Sequence, residues 1–298
     1  DEEFKGVYWM VDYLGNPIDT RKHIYCQSFA IYALSEYYKA TKNEEALNLA
    51  MELFELIEGV GFNKENSAYL EEFDREWNIT PNEMLSENGV IAEITTNTHL
   101  HVLEGYTTLY EITKNEAVRE KLKNLIYTFY NKIYDKENHF LKIFFDGNWN
   151  TIIDVKSYGH DIEASWLIDE AYKVLNLKDE AIEKMIIDIA YNIKSQIQED
   201  GSLINESENG VKDYTRIWWV QVEAMVGYLN AYERTHDEEF LKIVNNLMKY
   251  TMENMVDKRE GGEWYWSIEP NGKPTERSVI EPWKTPYHNG RFCLEFMK

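Results

Sequence analysis

The chain of 298 residues carries 53 acidic against 31 basic side chains, a formal charge of −22, which repels phosphate backbones and anionic lipid and argues against nucleic acid or membrane as a partner. With six prolines and no linker-like Gly/Ser/Pro tract, it reads as a single domain over 1–298, long enough to bury a substantial core. No run of about eighteen apolar residues occurs. Cys26 and Cys293 sit in patterns that read as buried helix positions and do not make a disulfide framework, so a reducing cytoplasm is the expected compartment.

The first residues, Asp1-Glu2-Glu3-Phe4-Lys5, resemble neither a signal peptide nor an initiation site, and the chain reads as beginning in mid-fold. Val7 to Val11 and Gly15-Asn16-Pro17 predict a short strand pair. A helix follows from about Lys22 to Ala40, with Tyr25, Phe29, Tyr32 and Ala33 at three- and four-residue spacing, and a second from Asn43 to about Glu58. Residues 59–90 read as a long loop with hairpin character. Further helix pairs are expected over Thr95–Ile112 and Asn115–Ile133, over 158–175 and 179–197, and over 214–234 and 237–255. Hairpins are expected near Phe145-Asp146-Gly147-Asn148 and over Glu263–Pro274, and a last helix from Tyr287 to Met297.

These pairs repeat. Their turns, Thr41-Lys42-Asn43-Glu44, Thr113-Lys114-Asn115-Glu116, Leu177-Lys178-Asp179-Glu180 and Thr235-His236-Asp237-Glu238, lie 72, 64 and 58 residues apart, uneven because hairpins of different size intervene. One pair cannot bury both its faces, so the pairs must stack. An open solenoid and a closed ring both satisfy this; the uneven spacing favours an all-α toroid. The first helix of each pair, rich in Trp, His and Tyr, reads as its inner layer and the amphipathic second helix as its outer layer.

Four stretches carry candidate chemistry. In Ser157-Tyr158-Gly159-His160-Asp161-Ile162-Glu163, His160 and Glu163 share a helix face, and a histidine there can exchange a proton near neutral pH, with Glu163 orienting it; a capped helix start would look the same. In Asn97-Thr98-His99-Leu100-His101-Val102-Leu103-Glu104, Asn97, His101 and Glu104 share a face while His99 points away, so this His-x-His is a poor metal chelate. Trp218-Trp219 is either core or, through one ring sharing a face with Glu223, a platform for a sugar. In Trp283-Lys284-Thr285-Pro286-Tyr287-His288-Asn289-Gly290-Arg291, a loop aromatic precedes His288, the natural partner of His160.

These four motifs, in their order along essentially the whole chain, resemble those of cellobiose 2-epimerases in the N-acylglucosamine 2-epimerase family. The resemblance implies an (α/α)6 barrel and reversible epimerisation at C2 of the reducing-end glucose of β-1,4-linked disaccharides such as cellobiose or lactose. It implies His160 and His288 as the acid/base pair, His101 as a third histidine linked to ring opening, and Tyr25, Asn97, Glu163, Trp219 and Trp283 around the sugar. Glu223 and Arg291 are placed with this substrate-binding set. No metal and no organic cofactor is implied.

The chemistry agrees, because a hydrogen beside an aldehyde is acidic enough for histidine only once the pyranose has opened and the enediolate is stabilised. Twelve helices are implied against nine counted, so about the first three are expected to be absent, with an Asn-x-Arg motif whose arginine belongs to the family's active site. Low activity, poor stability or self-association is the corresponding expectation. The rival readings are a monosaccharide 2-epimerase or aldose–ketose isomerase of the same family, and a glycoside hydrolase on the same toroid, which would need two carboxylates flanking the bond.

Overall fold

The Thr-Lys-Asn-Glu turns join two helices in the fewest residues. In the computed structural model, which describes residues 1–85 and 89–297, Lys42, Lys114 and His236 close helices α1 (Ile24–Thr41), α3 (Thr96–Thr113) and α7 (Trp218–Thr235) in the left-handed conformation. The next residue then caps the partner helix. Asn43, Asn115 and Asp237 accept first-turn amides of α2 (Glu44–Leu56), α4 (Glu116–Thr128) and α8 (Glu238–Tyr250), each cap contributing about 1 kcal/mol. The threonine hydroxyls of Thr41, Thr113 and Thr235 accept the capping residues' own amides at 3.2–3.3 Å. Helices α5 (Tyr158–Val174), α6 (Glu180–Ile193, capped by Asp179) and α9 (Tyr287–Glu295) complete the nine α-helices among the described residues.

Expected and observed boundaries differ where backbone pairing intervenes. Each first helix is preceded by a short strand that pairs antiparallel with the hairpin after that helix pair: Lys22–His23 with Glu72–Phe73, Ile94–Thr95 with Phe144–Phe145, Val155–Ser157 with Glu206–Glu208, and Arg216–Ile217 with Ser267–Ile268. Hence α1 and α7 start later than periodicity alone predicts. Helices α2, α4 and α8 close in wider π turns, Ile57–Gly61, Phe129–Ile133 and Thr251–Met255. Within the expected loop over 59–90, residues 86–88 lie outside the described residues, and the strands Phe62–Asn63 and Ala68–Tyr69 form a hairpin.

The described chain packs as two compact units. The first comprises Asp1–Ile133, Lys142–Ile153 and Glu170–Lys178, the second Tyr134–Leu141, Asp154–Asp169 and Asp179–Lys298. In the first unit α3 is buried from Thr98 to Tyr110 on every side, whereas α4 buries one stripe, Val118, Leu122, Leu125 and Ile126. Helices α1 and α3 cross at Gly105, where a Cβ would sit 2.7 Å from the Ser28 carbonyl oxygen. In the second unit α7 is the buried helix and α8 the amphipathic one, through Phe240, Ile243, Val244, Leu247 and Tyr250.

The cysteine expectation is corrected. Cys26 is half-buried on α1, its thiol pushed up to about 12 by burial, but Cys293 on α9 is exposed, because α9 turns its Asn289, Arg291 and Phe292 inward instead. Both are free thiols. Among the described residues, no helix is long and apolar enough to cross a membrane.

Candidate active site

The fourth residue of the first helix of every pair is fully buried and hydrogen-bonds the backbone of the segment before that helix. Gln27 exchanges two bonds with Val7, at 2.7 and 2.9 Å; His99 Nε2 accepts from the Tyr69 amide at 3.1 Å; Asp161 Oδ1 accepts from the Leu141 amide at 2.7 Å; Gln221 exchanges two bonds with Leu203, at 2.9 and 2.8 Å. These bonds fix each helix's rotation about its axis. The second and sixth residues, four apart and so on one face, are thereby aimed together: Tyr25 and Phe29, Asn97 and His101, Gly159 and Glu163, Trp219 and Glu223.

In the first unit His101 is buried, with Nδ1 2.9 Å from Glu104 Oε2. Tyr25 meets its ring edge-on at 5.0 Å and Phe29 lies at 4.6 Å. Asn97, one turn back, leaves Oδ1 buried without a hydrogen-bond partner. His99 plays the structural part expected of it. Its Nδ1 donates to the Thr95 carbonyl at 2.8 Å, and burial pushes its pKa down to about 4, so the ring stays neutral at pH 7.

In the second unit the indole of Trp219 carries two imidazoles. His160 lies 4.9 Å from it and His288 stacks on it at 5.4 Å, centroid to centroid, so the two histidines are no further apart than those distances laid end to end. Gly159 makes room for this: a Cβ there would stand 2.5 Å from the Trp219 ring. Ser157 Oγ holds His160 Nδ1 at 2.7 Å. His288 Nδ1 lies 2.6 Å from Glu223 Oε1.

The guanidinium of Arg291 reaches Glu223 at 2.7 Å and Glu163 at 3.1 Å. Its cationic face lies 4.7 Å from the Trp166 ring, whose indole N–H donates to Glu223 Oε2 at 3.1 Å. Burial alone would raise the Glu223 carboxyl. The Arg291 charge and the His288 bond outweigh it and hold the group well below the usual carboxylate range. An ionised Glu223 can only accept, so His288 donates through Nδ1 and leaves Nε2 as its basic nitrogen.

Glu163, Glu223 and His288 also offer ligand atoms within 4.8 Å of one another, a spacing a metal ion could bridge. The cation held between these carboxylates is the Arg291 guanidinium, against which a metal dication would be repelled. The donor set fits arginine better than a metal.

Of the two adjacent tryptophans, Trp218 is core, 2% exposed against Tyr250, Met255 and Ile268, while Trp219 is only partly buried. Trp283 is exposed on the segment leading into α9. The second unit therefore gathers His160, His288, Glu163, Trp219, Glu223 and Arg291, and the first gathers Tyr25, Asn97 and His101.

The sequence profile of N-acylglucosamine 2-epimerase (GlcNAc 2-epimerase) matches residues 1–290. The chain belongs to this epimerase family. A cellobiose 2-epimerase of Dictyoglomus turgidum is 48% identical over all of this chain and 77% of its own length. One of Ruminococcus albus is 46% identical over 99% of this chain and 76% of its own. The solved structure of cellobiose 2-epimerase from Bacillus thermoamylovorans, 60% identical, superposes with a TM-score of 0.97 over all of this chain and 77% of that one. The N-acylglucosamine 2-epimerase family member described here is accordingly a carbohydrate epimerase, an isomerase, and the all-α class of stacked helical hairpins expected from its sequence holds.

Sequence reasoning put Glu104 on the His101 face without naming their bond, and assigned no role to Ser157 or Trp166 in this epimerase. Each sits three residues from a candidate on or next to the same helix: Ser157 before His160, Glu104 after His101, Trp166 after Glu163. That spacing was the available signal. Glu263 and Lys284, which brace α9, leave none, because their partners are far apart in the chain.

Proposed function

We propose that this epimerase inverts C2 of the reducing-end glucose of cellobiose and related β-1,4-linked disaccharides, with His160 and His288 as the acid/base pair. The observation that carries the reading is the shared Trp219 indole, which brings imidazoles from α5 and α9 to one place. The disaccharide is supported by the names of the relatives above. His101, backed by Glu104, assists opening of the pyranose, which frees the aldehyde and makes the C2 hydrogen acidic.

In one direction His288 takes that proton on Nε2. The carboxylate of Glu223 on its Nδ1–H stabilises the imidazolium that forms, as a fixed charge does best in a buried site. His160 returns a proton to the opposite face of the enediolate, and in the reverse direction the roles exchange. Protonation at C1 instead gives the ketose, so some aldose to ketose conversion accompanies the reaction. The two free thiols support a cytoplasmic location.

A hydrolase reading is disfavoured by the state of the carboxylates. Hydrolysis needs one carboxyl with a raised pKa, whereas Glu163 and Glu223 share a guanidinium and Glu223 is held down. The test is NMR of cellobiose incubated with the enzyme in heavy water. Glucosyl-mannose carrying deuterium at C2 is expected, and glucose release would mean hydrolysis. His160→Asn and His288→Asn should each lower epimerisation by about a hundred- to ten-thousand-fold, the usual worth of a positioned acid or base. Near-parental rates in either would sink the mechanism.

A further inference from the structure

His288 lies on the first turn of α9, whose N-cap residue, Pro286, offers no side-chain hydrogen bond. Beside the Glu223 bond and the Trp219 ring that hold the imidazole itself, a second carboxylate braces the turn that carries it. Glu263 Oε1 accepts from Asn289 Nδ2, next to His288, while Glu263 Oε2 accepts from Lys284 Nζ and, at 2.6 Å, from the Trp264 amide. The Lys284 side chain is 1% exposed, donates also to the Val279 carbonyl at 3.0 Å, and sets its ammonium 5.5 Å from the ring of Trp218, the neighbour of Trp219. One carboxylate thus ties the segment leading into α9, α9 itself and the strand-like run at Trp264 to a single point.

We infer that Glu263 is a positioning residue for His288, acting through Asn289 and Lys284. It does not touch the imidazole. The inference rests on the two-histidine reading above. Removing its charge leaves a buried ammonium without its carboxylate and loosens the start of α9 from the run at Trp264, so His288 shifts against the sugar carbon; a displacement of about 1 Å is enough to cost on the order of a hundredfold in rate.

The experiment measures deuterium uptake at C2 in heavy water, separately from the glucose-ended and the mannose-ended disaccharide. With two bases on opposite faces, His288→Asn should abolish uptake from one epimer far more than from the other, and this identifies the epimer His288 serves. Glu263→Gln is expected to lower uptake from that same epimer by about tenfold or more and from the other much less. Asn289→Ala, which spares the Lys284 pair and guards against a variant that fails to fold, should show the same bias more weakly.

Equal losses from both epimers in these variants, or no loss, would overturn the role of Glu263 while a biased His288→Asn left the two-histidine reading intact. An unbiased His288→Asn would overturn that reading itself.

Discussion

The two units use the same helix positions for different chemistry. In the first, the second and sixth positions hold Tyr25 and Phe29, then Asn97 and His101, so a single histidine sits among aromatic rings and leans on one carboxylate. In the second they hold Gly159 and Glu163, then Trp219 and Glu223, so two carboxylates hold an arginine while an indole carries two imidazoles. Both units keep the buried fourth residue and its bond to the preceding segment. Because that bond fixes the helix rotation, the residues on either side of it can change character without losing their aim. Charge is concentrated in one unit and aromatic enclosure in the other.

The charged unit is the one a single substitution should break most severely. Arg291→Met leaves Glu163 and Glu223 buried without their cation, and breaking a buried ion pair costs about 3–5 kcal/mol. The melting temperature should fall markedly and epimerisation should fall with it. Glu104→Gln in the first unit, which keeps an acceptor beside His101, should change the melting temperature little; equal losses from the two would erase the distinction between the units. The next effect in size is Gly159→Ala. Its Cβ would meet the Trp219 ring at 2.5 Å, so overpacking should cost about 1–3 kcal/mol and lower kcat through both imidazoles. Unchanged kcat would mean the indole does not set their positions.

Much of this was legible in the sequence, for local reasons. The helix pairs follow from the turns, since Thr41, Lys42, Asn43 and Glu44 each have a separate part in ending one helix and starting the next. His160, Trp219, Glu223 and His101 follow from helical spacing. Three things were not legible. The backbone pairing that delays α1 and α7 joins Lys22 to Phe73 and Arg216 to Ile268, contacts with no local signal. The bonds between Gln221 and Leu203, which fix the rotation of α7, join residues with no local signal between them. Cys293 follows an apolar pattern yet faces outward, because Asn289 and Arg291 claim the inner face of α9.

The last comparison separates two equivalent helix positions by the sign of a pH effect. Burial pushes the Asp161 carboxyl up to about 8 against the opposing pulls of the Leu141 amide and Lys156, while the unfolded chain ionises it near about 4. Over that interval the folded form binds more protons, so raising the pH from about 4 to about 8 removes stability. His99, in the equivalent helix position, is pushed down to about 4 from an unfolded value of about 6.5, so its stability is lost as the pH falls through that window. Asp161→Asn keeps the acceptor for Leu141, and its melting temperature relative to the parent should climb from pH 5 to pH 8. For His99→Gln the same difference should climb as the pH falls from 6.5 toward 4.5. Glu71 in the first unit is also pushed up to about 8 by burial, with the same sign as Asp161, but it is present in parent and variant alike and cancels from each difference. Two difference curves sloping the same way would mean that one of these buried groups titrates as if exposed, and that the fourth helix position is not the closed joint the hydrogen bonds describe.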